Sequence, residues 1–132
     1  MRQPLQRPLV LVIEDDSRLV SAVAMLIEDW GYDCIAVSSL ATIATELGDR
    51  LSAVAAVVVD VSVRESFSGA RSAAAVASVI GDHVPVIATS SYPNLAIRNG
   101  FATVLAKPYE PDDLHRWLAS MPGSGPHARK AC

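Results

Sequence analysis

The stretch PLVLVIEDD, residues 8–16, runs through five aliphatic residues from Leu9 to Ile13 and stops on Glu14, Asp15 and Asp16. An aliphatic run without apolar–polar alternation is how a strand covered on both faces reads, as in a parallel sheet. Four further segments read as strands, so the expected set is Pro8–Glu14, Tyr32–Val37, Ala53–Asp60, Val84–Thr89 and Thr103–Ala106.

Helix-period segments fill the gaps. Leu19, Val23, Leu26, Ile27 and Trp30 form one apolar stripe with Gly31 as its stop. Leu40, Ile43, Ala44 and Leu47 repeat the pattern, with Ser38 or Ser39 as N-cap and Gly48 as stop. Gly69–Ile80 is Ala-rich and strongly helical, and Gly81 ends it. Tyr92–Asn99 reads as a short helix before Gly100. Pro111 suits the first position of a last helix whose stripe is Leu114, Trp117, Leu118 and Met121. Asp112 and Asp113 in its first turn complement the helix dipole. Strict βα alternation with short links implies right-handed crossovers and a three-layer α/β sandwich.

Composition narrows the function classes. The chain has 132 residues, enough for one domain and too few for two separate cores. With 51% hydrophobic residues it is not a disordered chain, and at 5% aromatics its core must be aliphatic. A net charge of −3 argues against a general nucleic-acid binder. The longest apolar run, Ala53–Val59, is far below the ~20 residues of a membrane span. The N-terminus lacks a signal-peptide core, and Cys34 and Cys132 have no metal-ligand spacing. A soluble cytoplasmic domain is expected, with residues 1–7 as an extension, 8–121 as the domain and 122–132 as a disordered tail.

In such a fold the site lies at the carboxyl ends of the strands. There the sequence puts Glu14-Asp15-Asp16, then Asp60, then Thr89-Ser90-Ser91, then Lys107-Pro108. A nucleotide binder would carry a Gly-rich loop after its first strand, where backbone N–H groups cradle phosphate. This chain has three acids and no glycine there. Converging carboxylates predict raised pKa values or a bound divalent cation, and Mg²⁺ suits oxygen ligands that also face a phosphate. A metal, Lys107 and the Ser90 hydroxyl together could stabilise transferring phosphoryl oxygens, with one carboxylate as nucleophile. Asp16 reads better as the N-cap of the first helix than as a ligand.

VLVIEDD, VVVD ending on Asp60, PVIATSSY, Gly100 and LAKPYEPDDL together resemble the receiver domain of two-component response regulators, over residues 8 to 121. The resemblance implies a flavodoxin-like doubly wound (βα)5 fold with a five-stranded parallel sheet. It implies that Asp60 is the phospho-acceptor and that Glu14, Asp15, Asp60 and the backbone carbonyl of Ser62 hold Mg²⁺. Ser90, five residues after Pro85, matches the hydroxyl that bonds the phosphoryl group, whereas Thr89 falls one position early and reads as a strand residue. Lys107 matches the invariant lysine, whose bond to the following proline is usually cis in the family.

The partners implied are a sensor histidine kinase or a histidine phosphotransfer protein, and an unknown downstream protein, with no direct nucleic-acid or membrane contact. The reading is a stand-alone receiver that promotes only its own phosphorylation and dephosphorylation and signals through protein–protein interaction or phosphorelay. Two positions depart from the family pattern. The segment from Val61 to Gly69 lacks the usual proline, and Val104 stands where an aromatic switch residue is common.

Two alternatives are a degenerate receiver that binds partners without phosphorylation and a Toprim-like Mg²⁺-dependent nucleic-acid enzyme. The second requires an Asp-x-Asp, and Asp60-Val61-Ser62 lacks the second acid. His83, His115 and His127 have no mutual spacing for chemistry, and Trp30 and Trp117 fall on packing stripes. Arg64, Glu65, Phe67, Ser91 and Tyr92 flank the expected site.

Overall fold

The computed structural model describes residues 7–62 and 72–121. Five strands alternate with helices: β1 (Leu9–Ile13), α1 (Ser17–Asp29), β2 (Asp33–Val37), α2 (Ile43–Leu47), β3 (Val54–Asp60), α3 (Ala73–Ile80), β4 (Val86–Ser90), α4 (Pro93–Arg98), β5 (Val104–Ala106) and α5 (Pro111–Ser120). All neighbouring strands pair in parallel, in the order β2-β1-β3-β4-β5. This order places a topological switch point between β1 and β3, where side chains from both strand ends face one crevice.

The central strands are aliphatic throughout because both of their faces are covered. On one face Leu11, Ile13, Val57 and Val59 pack with Ile43 and Leu47 of α2, Val76 and Ile80 of α3, and Ala96 of α4. On the other, Val10, Val12, Ala56, Val58 and Ile87 pack with Val23 and Ile27 of α1 and Leu114 and Leu118 of α5. The three layers and the flavodoxin-like order agree with the sequence reading.

Side-chain capping fixes where the helices start. The Asp16 carboxylate accepts from Arg18 N (3.0 Å) and Leu19 N (3.4 Å), so the third acid of EDD caps α1 as expected. Ser39, not Ser38, opens the next helical segment as a 3₁₀ turn over Leu40–Thr42. The Ser72 hydroxyl accepts from Ala75 N at 3.1 Å and starts α3. The expected start at Gly69 falls outside the described residues, as do the expected tail, the N-terminal residues 1–6, Cys132, His127, Arg64, Glu65 and Phe67. Pro111 is the first residue of α5, and Glu110 N donates to Asp113 Oδ2 in the manner of a capping box.

Several boundaries differ from the sequence reading, most by one residue: β1 is Leu9–Ile13 instead of Pro8–Glu14, β3 starts at Val54 instead of Ala53, and β5 starts at Val104 instead of Thr103. β4 begins at Val86 instead of Val84 and extends through Ser90. Pro85 has no N–H to give a ladder and offers only its carbonyl, to Val57 N at 3.0 Å. Tyr32 belongs to the wrap that closes α1, its N–H bonded to Ile27 O at 3.2 Å, and β2 starts one residue later. After Gly48, which takes φ +55°, the chain forms an unanticipated 3₁₀ segment over Gly48–Ala53 before β3.

Candidate functional site

The ends of β1 and β3 set the geometry. Val12 pairs with Val58 and Ile13 with Val59. Glu14, one residue on, therefore projects on the same face of the sheet as Asp60, and that is the face packed by α1 and α5. Carboxylate oxygens of Glu14, Asp15 and Asp60 all lie within 4.8 Å of one another. Glu14 is buried, Asp60 half-buried and Asp15 exposed. The group thus spans from the protein interior to solvent, as a pocket for an ion that keeps part of its water shell requires.

Lys107 closes the group from the far edge. Its backbone N–H donates to Ser90 O at 2.8 Å, which extends the β4–β5 ladder and aims the side chain back across β4. The ammonium donates to Asp60 Oδ1 and stands 4.0 Å from Glu14 Oε2. The Lys107–Pro108 peptide is cis.

The electrostatics fit a cation site. Two carboxylate charges about 4.8 Å apart repel by about 3.5 kcal/mol at an effective dielectric of about 20. Glu14 responds: its pKa is pushed up to about 7, chiefly by burial, with the Asp60 charge and a hydrogen bond with Asp15 adding to the rise. The Asp16 N–H, which donates to Glu14 Oε1 at 3.1 Å, and the Lys107 charge act in the opposite direction. Burial, and then the charges of Asp60 and Glu14, also raise the Tyr109 phenol. An oxygen-only set of carboxylates matches a hard divalent cation such as Mg²⁺ in donor type.

The two hydroxyls at the end of β4 divide between the faces. Ser90 is almost fully buried on the α2–α4 side; its hydroxyl donates to Val61 O at 2.7 Å and accepts from Tyr92 N at 2.9 Å. Thr89 is the register partner of Asp60, and its hydroxyl donates to Asp60 Oδ1 at 3.5 Å. Ser90, the residue matched from sequence, is thus tied to the backbone beside Asp60, at Val61, while Thr89 reaches the Asp60 carboxylate itself. Counting from Pro85 locates the strand end but not the face on which each side chain emerges, which only the β3–β4 register supplies.

Tyr109 is a residue the sequence reading did not single out. It lines a small cavity together with Glu14, Asp60, Thr89 and the α1 residues Leu19 and Val23. Its position two residues after Lys107, and in an otherwise polar turn, was the available signal. Ser62 is exposed at the end of the stretch that follows β3. Val104 is half-buried on β5. Trp30 and His115 stack face to face between α1 and α5, with ring centroids 4.5 Å apart, in keeping with packing roles.

No family model matches the sequence, and no curated protein is significantly similar to it. Solved structures do match. A response regulator receiver protein from Burkholderia phymatum superposes with a TM-score of 0.66 and 21% identity, over 86% of this chain and 94% of that one. A response regulator from Thermotoga maritima gives 0.64 and 21%, over 86% and 95%. A response regulator receiver domain protein from Clostridium thermocellum gives 0.63 and 22%, over 85% and 90%. The chain therefore has the fold of response regulator receiver domains. At these identities the likeness is one of architecture, and the site's own residues carry any statement about chemistry.

Proposed function

We propose that the protein is a phosphorylation-controlled receiver in which Asp60 accepts a phosphoryl group from a histidine kinase or a histidine phosphotransfer protein. The observation that carries this reading is the meeting of the Lys107 ammonium with Asp60 inside the Glu14–Asp15–Asp60 carboxylate group. In the transfer, a carboxylate oxygen of Asp60 forms a bond to phosphorus. The phosphorus–nitrogen bond of the donor phosphohistidine breaks, and the imidazole nitrogen leaves with the electron pair. Hydrolysis of the acyl phosphate later returns the carboxylate and inorganic phosphate.

Each residue has a separate task. Glu14, Asp15, Asp60 and the Ser62 carbonyl would hold Mg²⁺, which when bound neutralises charge on the phosphoryl oxygens. Lys107 shifts from the carboxylate to the incoming phosphoryl oxygens, a short reach for a flexible ammonium. Ser90 exchanges its bond to Val61 O for one to the phosphoryl group, which couples Asp60 to the turn at Tyr92. Output is assigned to the face of α4, β5 and α5, where Tyr92 and Ile97 are more than half exposed, and to a protein partner in the cytoplasm.

The test is incubation with acetyl phosphate, or with beryllium fluoride, in the presence of Mg²⁺. A phosphoryl mass increment, or a tryptophan fluorescence change, that disappears in Asp60→Asn supports the reading. Labelling that persists in Asp60→Asn contradicts it, and no response in the wild type points to phosphorylation-independent binding.

A further inference from the structure

Asp60 presents a carboxylate whose two oxygens must be distinguished before either attacks phosphorus, and Lys107 alone is a poor instrument for that. Its ammonium sits at the end of four rotatable bonds and is itself required to move. Thr89 is built differently. Its Cα is fixed opposite Asp60 by the β3–β4 ladder, which continues through Val61 N–H donating to Thr89 O at 2.9 Å. Its β-branched side chain has few rotamers, and only 4% of the residue is exposed. Its hydroxyl donates to Asp60 Oδ1, the same oxygen that takes Lys107. At 3.5 Å the bond is at the outer edge of range, and a closure of about 0.7 Å brings it to the usual O–H···O distance. Thr89 and Asp60 both line the small cavity that Leu19 and Tyr109 also border.

We propose that Thr89 is a positioning residue for the acceptor: its hydroxyl holds Asp60 Oδ1 from the α1–α5 side and so fixes the rotation of the carboxylate while Lys107 changes partners. The inference rests on the assignment of Asp60 as acceptor and adds to it a residue distinct from Ser90, on the opposite face of the sheet. Orientation of a nucleophile is worth much in rate, and misplacement by about 1 Å can cost about 100-fold.

The experiment compares Thr89→Val, which keeps the shape and removes the hydroxyl, with Thr89→Ser, which keeps the hydroxyl. Two readouts are needed. The first is the ¹³C resonance of the Asp60 carboxyl in metal-free protein at fixed pH, assigned by its loss in Asp60→Asn. The second is the rate of phosphorylation by acetyl phosphate, in which the Asp60–phosphorus bond forms as the bond to acetate breaks and acetate departs with the electron pair. Thr89→Val is expected to shift the carboxyl resonance and slow phosphorylation by about 10-fold or more, with Thr89→Ser within about 3-fold of wild type. An unmoved resonance and wild-type rate in Thr89→Val overturn the proposal, as does a Thr89→Ser variant as impaired as Thr89→Val. Thermal melts confirm that both variants are folded. Labelling that survives Asp60→Asn would instead remove the acceptor assignment, so the two failures are separable.

Discussion

Glu14 is where burial and charge meet most directly, and its behaviour sets how the metal-free protein responds to pH. Its carboxyl titrates near 7 in the folded chain against 4.5 for the free group. Between those values the native state binds more protons than the unfolded state, so stability falls as pH rises from about 4.5 to about 7 and stays low above that. Metal-free protein is therefore expected to melt at a higher temperature at pH 5.5 than at pH 8. Glu14→Gln, which cannot ionise, should flatten that difference, and an unchanged pH slope in the variant would refute the assignment. Ser90 offers a test of a different kind. Its hydroxyl serves both Val61 O and Tyr92 N in a nearly solvent-free position. Ser90→Ala leaves both groups without that partner and should cost about 1–3 kcal/mol in urea unfolding. On the proposed function, the same variant should also weaken the fluorescence change on beryllium fluoride binding, because the hydroxyl that joins Val61 to Tyr92 is gone.

Elements and their punctuation were largely legible in the sequence. The aliphatic runs at Leu9–Ile13 and Val54–Val59 announce strands buried on both faces, and the stripe through Val23 and Ile27 announces α1. Asp16 could be separated from its two acidic neighbours because a residue just before a helical stripe caps it. Asp16→Ala is expected to lower stability by about 1 kcal/mol, with the urea midpoint shifted and the m-value unchanged, while Asp16→Asn stays near wild type. A loss in Asp16→Asn as large as in Asp16→Ala would show that the charge, and not the cap alone, holds the helix start. Other features could not be read. The 3₁₀ segment Gly48–Ala53 is polar and short, so it carries no periodicity. The roles of Thr89 and Ser90 depend on which face each emerges from, and a strand's parity relative to its neighbour is a property of pairing, not of composition.

Across the whole molecule, the β2-β1-β3-β4-β5 order makes the site out of segments nearly a hundred residues apart, from Glu14 to Lys107. The fold must hold three like charges together, so anything that neutralises them stabilises the whole domain. A cation that binds only the assembled cluster adds RT ln(1 + [L]/Kd), or about 2.7 kcal/mol at 100-fold excess over Kd. Protons compete for the same oxygens, because Glu14 must lose its proton to ligate. Mg²⁺ should therefore raise the melting temperature strongly at pH 8 and only weakly at pH 5.5, which removes or reverses the pH slope of the metal-free protein. The opposite signs follow from one cause: at low pH a proton does at Glu14 what the cation does at high pH. Melts with EDTA and with Mg²⁺ at both pH values measure the four corners of this cycle. If the Mg²⁺ increment is equal at pH 5.5 and pH 8, Glu14 is not a ligand. If Asp60→Asn retains the full increment, the cation does not sit among these carboxylates at all.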